Sequence, residues 1–199
     1  LYDQLGRYHH DDLRDATVNR FMQRYEIDRR QAQRVAHTAL ALLAQLVPES
    51  RAEGHADARF LTWAARLHEV GISIAHSSYH KHSAYIIANA DMPGFSRRDQ
   101  LRLARVILAH RGKLERAQPL AGEAAEWTLI FCLRTAVLLH RSRDDRPLPA
   151  FEAEFAPRGF RLALGGDGLD ALPLTTAALD DEAQQWSGIG GELRIDRNS

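Results

Sequence analysis

The chain has 199 residues, 45% of them apolar, with 26 basic and 26 acidic side chains and a net charge of zero. That is material for one ordinary domain, or for one domain with a small appendage, and for a buried core. It excludes a membrane span, because no apolar run approaches the roughly 20 residues a helix needs to cross a bilayer, and no secretory leader is visible at the start. The chain opens on Leu1-Tyr2-Asp3 without an initiator Met, which is expected of a piece excised from something longer. Its one cysteine, Cys132, lies within the apolar stretch 127–139 and has no partner for an internal disulfide. A buried thiol in a reducing cytoplasm is the expectation.

Helical signals fill the first three quarters. Asp11 or Asp12 is expected to open a helix through Tyr25, with Val18, Phe21, Met22 and Tyr25 at three- and four-residue spacing. Asp28 should cap a second helix, Arg29–Val47, stopped by Pro48. A third spans Ala58–Val70 and ends at Gly71, and Ser83–Ala90 reads as a short fourth, broken by Met92-Pro93-Gly94. Ser96 with Asp99 forms an acidic capping box for a fifth helix reaching Ala109. The sixth, Gly122–Arg141, is apolar on most faces at Trp127–Leu139 and should be the most buried. The character changes at Arg146-Pro147-Leu148-Pro149. Two strand-like runs follow, Phe151–Phe155 and Phe160–Leu164, then the turn cluster Gly165–Gly168, a helix capped by Thr175 or Thr176 that runs to Trp186, and a last strand Glu192–Ile195. The expected fold is mainly α: a helical domain over residues 1–146 and a small, separable α+β domain over 147–199.

Charge is unevenly spread. Residues 81–116 hold eight basic side chains (Lys81, Arg97, Arg98, Arg102, Arg105, Arg111, Lys113, Arg116) against three acidic ones. The block reads either as a solvated helix face or as an anion site, since arginine's planar fork suits bidentate contact with phosphate oxygens.

Two clusters carry chemistry. Leu67-His68-Glu69-Val70-Gly71 closes a helix with adjacent His and Glu. Phosphohydrolases of the HD superfamily hold a divalent metal there with an adjacent His-Asp pair, completed by an earlier His and a later Asp. In this chain Glu69 replaces the Asp, and Gln31 precedes Arg34-Val35-Ala36 where the first His is expected. His37 points about one residue away, and the last helix offers Arg134-Thr135-Ala136-Val137-Leu138 in place of the Asp. The expectation is an HD-like scaffold without its metal, with His68 and Glu69 as a helix-end hydrogen-bonding pair. The second cluster, His76-Ser77-Ser78-Tyr79-His80-Lys81-His82-Ser83, lies at the entrance to a helix. Helix N-termini favour anions. A locally capping polar loop, a phosphate-contacting loop and a His80-x-His82 metal site all remain open.

The run Leu67-His68-Glu69-Val70-Gly71-Ile72-Ser73-Ile74-x-His76-Ser77, then His80–Ile87, then Asn89-x-Asp91-Met92-Pro93-Gly94-Phe95 resembles the exopolyphosphatase and guanosine pentaphosphate phosphatase family. Gly6-Arg7-Tyr8, Leu133-Arg134-x-Ala136-Val137-Leu138-Leu139, Pro173-Leu174-Thr175 and Glu182 agree with it. The resemblance implies the HD-like third domain and the small fourth domain of a longer cytoplasmic enzyme, with peripheral contact to the inner membrane as an alternative. In that family an amino-terminal half of the actin-like ATPase superfamily carries glycine-rich phosphate loops, a catalytic glutamate and the magnesium. The expected function is the C-terminal part of an exopolyphosphatase, inactive by itself, which binds inorganic polyphosphate and forms a homodimer. No catalytic residue, metal or nucleic-acid partner is expected in this chain. The substrate-binding residues expected are His76, His80, Lys81, His82, Arg97, Arg98, Arg111 and Lys113, with attraction that falls with salt and rises as pH drops through about 6.5. The rival readings are an independent metal-dependent HD nucleotide phosphohydrolase and a non-catalytic regulatory or dimerisation module.

Overall fold

The computed structural model describes residues 2–118, 124–165 and 173–198, without the side chains of 2–12, 173, 174 and 198. Seven α-helices and one three-stranded sheet lie among these residues. Helix α1 runs Tyr2–Arg24, well ahead of the expected start, and buries Val18, Phe21 and Met22. Helix α2, Arg29–Leu46, begins where Asp28 accepts from the amides of Arg30 and Gln31, which satisfies two of the orphan donors of the first turn. Helix α3, Ala56–Leu67, stops three residues before the expected end, and Val70–Ser73 continues as a 3-10 turn.

The cause of that early stop lies across the chain. Ser83 Oγ donates to the carbonyl of His68 (2.7 Å) and accepts from the amide of Gly71 (2.9 Å), so a hydroxyl from the next helix closes the end of α3. A Cβ at Gly71 would lie 2.4 Å from both Ser83 N and Tyr79 O, so no larger residue fits between these backbones. Ser83 therefore sits inside helix α4, Tyr79–Asn89, rather than at its start. Helix α5, Arg97–Ala109, is capped by Ser96 through the amide of Asp99, as expected. It lies antiparallel to α4: Gln100 near its start donates to the carbonyls of Ile87 and Ala90, and His110 past its end reaches Tyr79. Helix α6, Ala124–Leu139, is the central one, with Leu129–Leu133 wholly buried. The expected start at Gly122 lies outside the described residues.

Beyond residue 146 the architecture changes. Strands β1, Phe151–Ala156, and β2, Gly159–Gly165, form an antiparallel hairpin in which Phe155 faces Phe160. Helix α7, Pro173–Gly188, then carries the chain to β3, Glu192–Asn198, which pairs parallel with β2. The helix starts two residues before Thr175, with Pro173 at a first-turn position that needs no amide donor. The turn cluster expected at 165–168 falls outside the described residues after Gly165. Strand order is β1-β2-β3. On the β1 side, Gln45 of α2 accepts from Ala153 N (2.6 Å) and donates to Phe151 O (3.3 Å).

The sheet and the bundle share one apolar core. Phe131 of α6 stacks on Phe160 of β2 at 4.1 Å between ring centroids, and Trp186 of α7 meets both edge-on. Each such fully buried side chain contributes about 2 kcal/mol of transfer free energy. No helix among the described residues is long and apolar enough to cross a membrane. Cys132 is buried and unpaired, and burial pushes its thiol pKa well up, so the thiolate is suppressed.

Candidate functional site

His68 and Glu69 do not form the expected hydrogen-bonded pair. His68, 1% exposed, donates from Nδ1 to the carbonyl of Ala65 (2.7 Å), which leaves Nε2 without a hydrogen-bond partner and 3.9 Å from Glu69 Oε1. That separation is too long for a hydrogen bond. Glu69 is instead held by the fork of Arg143, at 2.5 and 3.2 Å, and Arg143 also reaches Asp28 at 3.1 Å. A guanidinium therefore neutralises the carboxylate that a metal ion would require. Gln31, where an HD domain places its first His, donates to the carbonyl of His140 and accepts from Arg34. His37 is exposed, and Val137 is partly buried. The donor set does not fit a metal: among the described residues no group of three His, Cys, Asp or Glu side chains could hold one.

Beside His68 lies a second buried imidazole, that of His110 just past the end of α5. His110 packs edge-on against His68 at 5.0 Å, donates from Nδ1 to Ile107 O (2.5 Å), and offers Nε2 to the hydroxyl of Tyr79 (3.3 Å). His80 follows at 6.3 Å from His110, nearer the surface, with its Nδ1 buried and unpartnered. Burial lowers the pKa of His68 and, further still, of His110. For His80, burial acts first and the nearby cations Lys81 and Arg111 add to it, which brings the value down to about 4. The expected gain of charge near pH 6.5 therefore fails for His80, the imidazole at the centre of the cluster.

The substrate-binding residues expected from sequence split into two groups. His80 and Lys81 open α4, and Arg111 and Lys113 follow the end of α5 beside it: the guanidinium of Arg111 lies over the Tyr79 ring at 5.2 Å, and a Cβ at Gly112 would meet His80 Nε2 at 3.0 Å. Ser78, in the left-handed region (φ 55°), supplies no side-chain cap to α4. Arg97 and Arg98 stand at the opposite end of the same hairpin, about 20 Å away by the rise of α5. Arg97 donates to the carbonyl of Ala88. His76 is exposed ahead of α4, and the Cβ of His82 packs beside Gly71. The stretch read as a loop is thus helical from Tyr79 onward, four residues before Ser83.

A cleft of about 770 Å³ elsewhere is lined by Arg14, Arg59, Arg102 and Trp63. Each of its arginines faces an aspartate: Asp99 at 3.2 Å, Asp15 at 3.7 Å and Asp57 at 3.0 Å.

Comparison with known proteins agrees with this architecture. The family model described as Ppx/GppA phosphatase, domain III, matches residues 13–183. A protein named guanosine-5'-triphosphate,3'-diphosphate pyrophosphatase from Pseudoalteromonas translucida (strain TAC 125) is 33% identical over 198 residues, covering 98% of this chain and 40% of the relative. A protein of the same name from Aeromonas hydrophila is 32% identical, again over 98% of the chain and 40% of the relative. The chain thus spans about two fifths of the length of these relatives. A helical bundle whose match runs from α1 into α7 identifies the chain as a member of the Ppx/GppA phosphatase family, within its domain III.

Proposed function

We propose that this chain is the C-terminal part of a cytoplasmic phosphoanhydride hydrolase and that it binds the polyanionic substrate at the end where α4 begins and α5 ends. The observation that carries the reading is Arg111 lying over Tyr79, the first residue of α4, with Lys81 and Arg111 both close enough to act on His80, at a helix start that has no side-chain cap; Lys113 follows two residues after Arg111. Inorganic polyphosphate, with about one negative charge per phosphate unit, suits such an end because each added cation increases the attraction, as along a nucleic-acid backbone. The names of the relatives favour guanosine pentaphosphate as a substrate as well. Both carry a chain of phosphates that one cationic end can hold.

The chemistry belongs to catalytic domains of the same protein outside this chain. There, as the family resemblance implies, a carboxylate would position the water, and magnesium held by residues of those domains would supply charge compensation for the transferred phosphoryl group. Here Arg111 and Lys113 hold and orient the anion, His80 stays neutral and donates or accepts a hydrogen bond, and the chain by itself is inactive. The full-length protein works as a homodimer.

The test is a binding titration with polyphosphate and with guanosine pentaphosphate over a range of salt. Arg111→Ala/Lys113→Ala should weaken binding and flatten the salt slope, while Arg97→Ala/Arg98→Ala should leave both near wild type. Equal effects of the two pairs would remove the site. Phosphate release by the clean chain, dependent on manganese or zinc and lost in His68→Ala, would replace this reading with an independent metal-dependent phosphohydrolase.

A further inference from the structure

Beside the basic end lies a cleft of about 680 Å³ between the 110–113 turn and α7. Arg134 crosses it. This side chain is 4% exposed on the predominantly apolar α6, and it donates to Ala109 O (2.6 Å) and Gly112 O (3.1 Å), the carbonyls that bracket His110 and Arg111. Its other edge forms a fork on Glu182 of α7, with both contacts at 2.5 Å. Glu182, also 4% exposed, is fixed in turn by the indole N–H of Trp186 at 2.9 Å. Nearly one turn further along α7, Gln185 accepts from the amide of Leu114 at 3.2 Å. Side chains from α6 and α7 therefore hold the basic turn at its backbone.

A buried guanidinium–carboxylate pair returns little net stability, because desolvation offsets most of its attraction. Its specific effect is on geometry, since a planar fork with two further carbonyl bonds admits one orientation of the turn. We propose that Glu182, acting through Arg134, is a positioning residue that holds Arg111 and Lys113 where the polyanion meets them, so that docking of α7 and ligand binding are coupled. The proposal rests on the reading of the basic end given above.

Two physical effects have opposite signs here. Coulomb attraction alone requires that removing a carboxylate beside a cationic turn tighten polyanion binding. Positioning requires that it loosen. In the 199-residue chain, Glu182→Gln should weaken binding of inorganic polyphosphate by about fivefold or more. Gln185→Ala, which changes no charge, should shift affinity in the same direction. Asp181→Asn, the same charge change on the exposed neighbour, should tighten binding. Amide hydrogen exchange over residues 111–116 should quicken in Glu182→Gln and Gln185→Ala but not in Asp181→Asn. Should Glu182→Gln fail to fold, Gln185→Ala carries the test. Unchanged exchange and affinity in Gln185→Ala, or tighter binding by folded Glu182→Gln, overturns the proposal. A wild-type chain that ignores polyphosphate overturns the reading of the basic end, and the exchange rates then judge the positioning role separately.

Discussion

Replacing Arg143 with methionine tests the guanidinium–carboxylate contact at the end of α3. Glu69 is 7% exposed at its side chain and receives both arms of the Arg143 fork, so the variant strands a carboxylate in a nearly dry site. Breaking one side of a buried pair costs about 3–5 kcal/mol. Arg143 itself is 42% exposed, and water entering from its side screens part of that cost, leaving about 2 kcal/mol. For a chain of this size that lowers the midpoint of thermal unfolding by about 4–8 °C. Glu69→Gln in the Arg143→Met background should recover much of the loss, because a neutral amide does not need the guanidinium. The assay is a double-mutant cycle by thermal and urea unfolding at pH 7. Single-variant effects that add within about 0.5 kcal/mol would refute the reasoning, since independent sites behave that way and a coupled buried pair does not.

Acid should destabilise the chain through its buried imidazoles. His68 and His110 are held below the ordinary value of about 6.5, so between the folded and unfolded pKa the unfolded chain binds more protons and stability falls as pH drops below about 6.5; His68→Gln and His110→Gln should each flatten the dependence of the melting temperature between pH 7 and pH 5, and an unaltered profile would exclude these groups. Phe131→Ala should cost about 3–5 kcal/mol and, because Phe131 stacks on Phe160, lower the helical and the sheet signals in one transition. Two well-separated transitions in wild type would make residues 147–199 an independently folding unit.

Local signals were legible in the sequence. Asp28 and Ser96 cap the helices they precede because a cap needs only a short acceptor two or three residues ahead of a free amide, and that geometry does not depend on the rest of the chain. The α6 core and the strand pair followed from apolar runs for a similar reason. What sequence reading missed is set by contacts between distant segments. Ser83 looks like a helix start, yet it is called on to satisfy the backbone of residues 68 and 71, and α4 must begin earlier for it to reach them. Arg97 and Arg111 belong to one charge block but stand at opposite ends of one helix. Arg143 meets Glu69 across 74 positions, and Arg134 meets Glu182 across 48. Arg134 did leave a trace: an arginine inside the apolar run 127–139 demands a buried partner, although the run does not say which.

Gln45 gives the small sheet an asymmetry. Its amide carries one donor and one acceptor, and by engaging Phe151 O and Ala153 N it does for β1 what a neighbouring strand would do. One border of the sheet thus ends on a helix side chain, and β3 forms the other border, with no further strand beside it among the described residues. Glu192, Arg194, Asp196 and Arg197 place charge along this strand in the ion pairs Arg194–Glu192, Arg161–Asp196 and Arg197–Asp180, and charges on an edge strand discourage pairing with another chain. A three-stranded sheet this small is thereby kept from becoming a template for aggregation by one amide on one side and alternating charge on the other.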